Sequence, residues 1–414
     1  MKKIVILLAM INLVGLLFYT GCENNYPDSL WPTDTIYRPN PVITSIDPPD
    51  STFSGIGILT ITGQNFSTVK AENFVYFGAK TGTIQSASAT ELVVQAPVLT
   101  GDSITINVWV TKTIEYATYT QVYALKNAIV QFKGVGSDLK ATAIAVDKNE
   151  GVYALLDKKK IVRIANPDAV CDTVGSSVAL GITNATSLRL GPNNYLYLLR
   201  GNNRIYRLPL DGGPATPLEN YVQVSSRVTD MDFDINKNIF AGGKGFKIEC
   251  VHTSDNSTFT AAQPGIGYSI NSLRVFDGYL YMAARNDTAA GVVEGIWKYQ
   301  ITNANGDLGA KELVFDWTTY AGSAGPKILS VDFDENGLMY LGLDKDNALA
   351  KLNPANGTIE GFVYPEIMIP KTAWMSWGNS IYLYINRDSD KVAERRIIRV
   401  NMNDAKGAPY YGLE

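Results

Sequence analysis

Thr142-Ala143-Ile144-Ala145-Val146-Asp147, then Gly151-Val152-Tyr153-Ala154-Leu155, then Lys160-Ile161-Val162-Arg163-Ile164, is the passage on which the fold turns. Each run is short, rich in β-branched and apolar residues, and closed by turn formers, so the unit reads strand–turn–strand. The same wording recurs at Thr186-Ser187-Leu188-Arg189-Leu190 with Tyr195–Leu199 and Arg204–Leu208, and again at Thr229-Asp230-Met231-Asp232-Phe233 with Ile239–Ala241 and Phe246–Glu249. Three further units begin at Asn271-Ser272-Leu273-Arg274-Val275, Leu329-Ser330-Val331-Asp332-Phe333 and Ala373-Trp374-Met375-Ser376-Trp377.

Equivalent positions 143, 187, 230, 272, 330 and 374 are separated by 44, 43, 42, 58 and 44 residues. Strand units at a period of about 43 residues predict propeller blades, and six units predict six of them. Several units turn on Asp-x-x-x-Gly or a close variant, as in Asp147–Gly151 and Asp334–Gly337. Aspartate caps such turns through its own backbone, and glycine supplies positive φ.

Strand counting predicts how the ring closes. The sixth unit offers strands at 372–377, 381–385 and 396–400 but no fourth, while Ala128-Ile129-Val130-Gln131-Phe132 stands unused before the first unit. Pairing the two removes two open edges at once. The propeller then occupies residues 126–414, and its rhythm resembles NHL-type and related six-bladed propellers.

Ahead of it, residues 41–125 alternate apolar and polar residues in short runs. These are 58–63, 73–78, 91–95 and, most clearly, Ser103–Val110. Period-two strands with turns between them predict an antiparallel sandwich, so the chain is expected to be all-β throughout. Ile43-Thr44-Ser45-Ile46-Asp47-Pro48-Pro49, Leu59–Phe66, Val75-Tyr76-Phe77-Gly78 and Ala96-Pro97 together resemble the TIG (IPT, immunoglobulin-like) family. The resemblance implies an immunoglobulin-like fold acting as spacer or binding module, with no catalytic residues to carry over. Phe66 and Phe77 read as core, and Gly63 and Gly78 as strand ends needing permissive torsions.

The N-terminus sets the expected compartment. Lys2 and Lys3 precede an apolar run, Ile4–Phe18, broken only by Asn12 and Gly15, and Tyr19-Thr20-Gly21-Cys22 closes it. The run is shorter than the roughly 20 residues a spanning helix needs, and its order is that of a secretory signal. Small residues before a cysteine resemble the lipobox of bacterial lipoproteins, which implies cleavage before Cys22 and lipidation of its thiol. Residues 1–22 are therefore expected to be a lipoprotein signal peptide. Residues 23–40, with Pro27, Pro32 and Pro39 and no apolar periodicity, are expected to be a tether. The expected setting is the cell envelope, lipid-anchored at the outer membrane or cell surface, with the membrane as one partner.

Composition narrows the function. Hydrophobic residues make up 46% of the chain and charged ones 18%, which suits packed β structure and argues against disorder. Net charge is −4 with no basic block, so no nucleic-acid partner is expected. Beyond Cys22 only Cys171 and Cys250 remain, two blades apart, and both are expected as buried thiols. The single histidine, His252, falls in a Val-His-Thr-Ser-Asp-Asn stretch that reads as an outer loop, a poor place for a catalytic base. No His/Cys metal cluster, Gly-x-Ser-x-Gly elbow, phosphate-binding glycine loop or Ser-x-Asp-x-Gly-x-x-Trp box occurs.

The candidate site residues lie on the inner strands. One equivalent position reads Ala145, Arg189, Asp232, Arg274, Asp332, Ser376, so four consecutive blades alternate in charge near the axis. This is either a polar channel that binds a ligand or a ring of ion pairs that keeps the blades in register. Trp374 stands where other blades carry small polar residues, and either offers a platform to a ligand or fills a gap. The variable loops at 200–204, 285–287, 344–347 and 386–390 form a polar rim on the face where the inner strands begin. The expected function is non-catalytic binding or scaffolding through the propeller, toward a glycan or a protein, with no cofactor. The alternative is a hydrolase resembling six-bladed lactonases, whose axial calcium would here fall to Asp230, Asp232 and Asp332.

Overall fold

The computed structural model describes residues 37–136, 138–345, 347–364, 374–387, 392, 395–403 and 405–413. Cys22, the signal segment 1–22 and the tether up to residue 36 lie outside the described residues. Among the described residues no helix is long and apolar enough to cross a membrane.

Residues 42–126 form the sandwich. One sheet orders Val42–Asp47, Ile58–Gln64, Glu91–Gln95 and Thr83–Ala87; the facing sheet orders Ala117–Thr118, Ile106–Val110, Asn73–Phe77 and Lys80–Thr81. Alternate residues of both sheets point inward, so Leu59, Ile61, Val75, Phe77, Leu92, Val94, Ile106 and Val108 are fully buried against one another, with Phe66 beside them. The run Ser103–Val110 is not one strand. It breaks at Thr105, and the piece before it, Gly101–Ile104, joins Tyr123–Lys126 and Ser51–Phe53 in a small third sheet. The Thr105 carbonyl instead accepts from the Gly78 N–H at 2.8 Å, which lets the chain change sheets. Gly78 takes φ +58° as expected. Gly63 is needed for a different reason, because a Cβ there would strike the Val42 carbonyl and the Phe66 ring.

The remainder is a ring of six four-stranded sheets. The first blade runs Ala141–Val146, Val152–Leu156, Lys160–Ile164 and Asp172–Ser176 from axis to rim. The next four have inner strands Ser187–Gly191, Asp230–Phe233, Ser269–Phe276 and Ile328–Phe333. The sixth orders Trp374–Trp377, Tyr382–Arg387, Arg396–Asn401 and, from the other end of the domain, Ile129–Gln131. Ile129 lies opposite Val400, Val130 opposite Arg399 and Gln131 opposite Ile398, antiparallel. The long spacing before position 330 comes from the fourth blade, whose strands run up to Leu308–Asp316 and are followed by a helical turn, Trp317–Ala321. Asp316 caps that turn by accepting from the Thr319 N–H at 2.9 Å.

The cores lie between blades, so each blade completes its neighbour. Leu155 and Ile161 of the first pack with Leu188, Leu196 and Leu198 of the second, and Phe132, Tyr384 and Ile397 of the sixth pack against the first. A fully buried side chain of this kind stabilises by about 1.5–3 kcal/mol. The aspartate turns between inner and second strands are built alike. Asp147 Oδ1 accepts from the Asn149 and Gly151 N–H groups, and Asp334 Oδ1 accepts from those of Asn336 and Leu338. Positive φ falls on Gly337 in the fifth blade but on Glu150 in the first and Lys237 in the third. There the carboxylate cap holds a left-handed residue that glycine was expected to supply.

Candidate functional site

Because the inner strands run side by side around the axis, Ala145, Arg189, Asp232, Arg274, Asp332 and Ser376 come to one level. All six line a single cavity of about 570 Å³. The alternating charges are paired within it. Arg189 Nε lies 3.8 Å from Asp232 Oδ1, and Arg274 Nε lies 3.3 Å from Asp332 Oδ1. One level toward the strand starts, both guanidiniums also reach Asp230, Arg189 at 3.3 Å and Arg274 at 3.9 Å.

Asp230 is fully buried and fully used. Its Oδ1 accepts from Ser187 Oγ at 2.7 Å in the second blade, and its Oδ2 accepts from Ser272 Oγ and the Leu273 N–H, each at 2.9 Å, in the fourth. Ser272 Oγ in turn accepts from the Val331 N–H at 3.1 Å in the fifth. The same device repeats below. Asp232 Oδ2 accepts from the Val275 N–H at 2.8 Å, and Asp332 Oδ2 from the Trp377 N–H at 3.2 Å. The ring of charge therefore has a structural role in joining blades as well as lining a cavity.

Asp232 is the exception among these carboxylates. It is only 2% exposed, and its Oδ1, though 3.8 Å from Arg189 Nε, is buried and accepts no hydrogen bond. Burial pushes its carboxyl up to about 6, against the opposing pull of Arg274 and Arg189. Trp377, on the same wall, carries a buried Nε1–H that is likewise without a partner.

The cavity lies toward the ends of the inner strands, and the C-terminal segment roofs it. Ala408 N–H donates to the Phe333 carbonyl at 3.0 Å, and Glu335 N–H to the Lys406 carbonyl at 2.8 Å. Tyr410 Oη donates to the Leu190 carbonyl at 2.6 Å, and Lys237 Nζ donates to the Tyr411 and Leu413 carbonyls. Burial pushes the Tyr410 hydroxyl well above its ordinary range. Sequence reasoning missed this segment. Its visible signal was Gly407-Ala408-Pro409-Tyr410-Tyr411-Gly412, two aromatic residues among small ones after the last strand.

Other candidates are placed elsewhere. Trp374 is not on the cavity wall; its ring packs toward the first blade, beside the cluster of Phe132, Ala141 and Tyr384. The variable loops sit at the opposite end of the blades and are tied up locally. Arg285 pairs with Asp287 and Glu294, each at 2.6 Å, and Asn386 Nδ2 donates to the Ala141 carbonyl at 2.7 Å. Asp346 and residues 388–390 lie outside the described residues. His252 sits by the rim, bonded to Ser257 Oγ and the Asn305 carbonyl. Cys250 is buried, whereas Cys171 is half-buried and donates to the Gly134 carbonyl; both are free thiols.

A calcium ion does not fit the axial aspartates. Asp230 has both oxygens engaged, and guanidiniums stand between the carboxylates of the ring. Among the described residues no three His, Cys, Asp or Glu side chains gather into a metal-holding group.

Fold and site together define an all-β protein in which a sandwich precedes a six-bladed propeller with a polar axial cavity. Residues 41–123 are an IPT/TIG domain. No curated protein matches the chain in sequence. An auxiliary nutrient binding protein from Bacteroides thetaiotaomicron shares the fold at 13% identity and TM-score 0.50, over 87% of this chain and 97% of its own. A protein of unknown function from the same organism does so at 16% identity and TM-score 0.50, over 88% and 99%. A luciferin-regenerating enzyme matches at 14% identity and TM-score 0.53, over 69% of this chain and 99% of its own. Binding proteins and enzymes thus share this architecture, so function has to be argued from the site.

Proposed function

We propose that this chain is a non-catalytic binding protein of the bacterial cell envelope, with the propeller's axial cavity as recognition site and the IPT/TIG domain as spacer. The observation that carries the reading is the cavity itself: about 570 Å³, walled by residues of all six blades, with charged side chains, Tyr410 and Trp377 in its lining. Enclosed concave sites of this size, mostly apolar with a few convergent polar groups, are where small ligands bind. Ser257 Oγ, the hydroxyl beside His252, is bonded to Asp255, so the three side chains do not form a relay toward serine. The envelope setting rests on the Lys2-Lys3 start, the apolar run and Thr20-Gly21-Cys22.

Two measurements on the full chain test the proposal. Membrane fractionation with a labelled fatty acid should show incorporation that Cys22→Ser abolishes; unchanged incorporation removes the anchor. Thermal-shift screening against soluble glycans, amino acids and organic acids should give stabilising ligands whose effect disappears in Ser376→Phe, which fills the cavity. Esterase or lactonase turnover that requires calcium would replace the binding reading with a hydrolase.

A further inference from the structure

The two sheets of the sandwich present unlike faces to solvent. Outward positions on such antiparallel strands are ordinarily polar. One sheet follows the rule: Thr60, Thr62 and Gln64 alternate with the buried Leu59 and Ile61, and Glu91 and Gln95 stand on the neighbouring strand. The other does not. Between its buried Val75, Phe77, Ile106 and Val108, the outward positions are Phe74, Tyr76, Asn107 and Trp109. Phe74 lies opposite Trp109, with ring centroids 5.3 Å apart, and Tyr76 lies opposite Asn107. On the next strand Thr118 lies opposite Asn107 and donates to its Oδ1 at 2.8 Å. Ala117 lies opposite Val108, so Tyr116 continues the register to the level of Trp109, and it is 62% exposed. The face thus carries two rows side by side, aromatic at Tyr116, Trp109 and Phe74, and polar at Thr118, Asn107 and Tyr76.

We infer that this face binds a neutral oligosaccharide, stacking sugar rings on the aromatic row and bonding their hydroxyls from the polar row. It adds a second site, independent of the axial cavity, to the domain read above as a spacer. A sugar ring is apolar on its C–H faces and polar at its edge, the same division as the two rows. Neighbouring strands lie about 4.8 Å apart, so three rings on three strands span about 10 Å, room for more than one sugar. The Thr118 hydroxyl takes the amide oxygen of Asn107, which leaves the amide N–H groups as donors, and the Tyr76 hydroxyl both donates and accepts. Neither row carries a charge. At the margin Arg38 pairs with Glu72 at 2.6 Å, and Lys112 also acts on that carboxylate. Such a face suits an uncharged ligand and gives an anionic lipid surface little to hold. It is also small for a second copy of the chain. A stable protein interface takes about 800 Å² from each partner, and four aromatic side chains of about 150–250 Å² each, three of them already partly buried, offer less.

Titration calorimetry on the full chain, in a detergent without a sugar headgroup, tests the inference. The probes are neutral oligosaccharides of glucose, mannose and xylose, with oligogalacturonate as the anionic and chitosan oligomers as the cationic counterpart. A neutral probe should bind, and more tightly than either charged one by about tenfold or more. Tyr116→Ala should weaken that binding by about fivefold or more; the side chain lies at the surface, so its loss leaves the core intact. Trp109→Phe should remove the change in tryptophan emission that the bound sugar produces. No binding by any neutral probe, a charged probe that binds best, or neutral binding unchanged in Tyr116→Ala overturns the inference. Neutral binding that is lost in Ser376→Phe but kept in Tyr116→Ala belongs to the axial cavity; it overturns this inference and supports the proposed function. Self-association or vesicle binding that Tyr116→Ala removes would make the face a contact for a second copy or a lipid surface, and overturns the inference as well.

Discussion

Asp230 Oδ2 and the Leu273 backbone N–H meet at 2.9 Å across the seam between the third and fourth blades. The carboxylate is fully buried and is shared with Ser187 on its other side, so one side chain spans three blades. Backbone ladders hold each blade together internally, but they stop at its edges. Between blades the work falls to packed side chains, to isolated backbone bonds such as the Leu218 N–H to the Ser176 carbonyl, and to a few carboxylates of this kind.

Removing that carboxylate should therefore weaken the whole ring. Asp230→Ala strands the Leu273 N–H and takes an anion from between two buried guanidiniums, at a cost of about 3–5 kcal/mol. Ser272→Ala, which loses one bond to that carboxylate and one from the Val331 N–H but leaves the charges paired, should cost about 1–3 kcal/mol. Urea unfolding measures both, and equal losses would show that charge is not what makes Asp230 important.

Ring closure makes a second prediction. A chain beginning at residue 138 lacks Ile129–Gln131 and Phe132, exposing the edge of Arg396–Asn401 and opening the core shared with the first blade. It should aggregate or melt far below a chain beginning at residue 126. Phe132→Ala alone should cost about 3–5 kcal/mol, since its ring is wholly buried beside Tyr384. Matching melting temperatures for the two chains would mean the terminal strand does not hold the ring shut.

Stability should carry the mark of Asp232. Folding raises its carboxyl from an ordinary 3.8 to about 6, so the folded chain keeps a proton that the unfolded chain has released. Its contribution is fully present below the lower value and is lost as pH rises through the higher one. A shift of that size corresponds to about 2–3 kcal/mol. The difference in unfolding free energy between the parent chain and Asp232→Asn should fall by about that amount between roughly pH 4 and pH 7. A difference that stays flat with pH would show that the carboxyl titrates normally.

Thiol labelling distinguishes the two cysteines. Burial pushes the Cys250 thiol up to about 12, whereas Cys171 is raised but partly exposed. Iodoacetamide at mildly alkaline pH should modify Cys171 slowly in the folded chain and Cys250 only after unfolding, as read by peptide mass mapping. Fast labelling of Cys250 would mean that the third blade opens locally.

Much of this architecture was written in local pattern. Six inner strands announced themselves because a blade is built from near neighbours in sequence, so its alternation and turns repeat at a nearly fixed period. The closing strand at 129–131 was legible by counting, since an all-β ring tolerates no open edge. The level shared by Arg189, Asp232, Arg274 and Asp332 could likewise be read from alignment of the repeats.

By itself, then, the sequence determined the two β domains, the blade count and the residues facing the axis, all of which follow from short-range periodicity. Tertiary structure decided what those residues do. Only packing shows that Asp230 is saturated while one oxygen of Asp232 accepts no hydrogen bond, because partners such as the Ser272 hydroxyl and the Val275 N–H belong to other blades. Only packing sends Trp374 toward the first blade and brings Tyr410 across the ring to the Leu190 carbonyl. Residues 405–413 have no repeat to betray them, and their place is set by isolated contacts such as Lys237 with the Tyr411 carbonyl. Such contacts join residues far apart in the chain, and a pattern with a period of two or of one blade carries no trace of them.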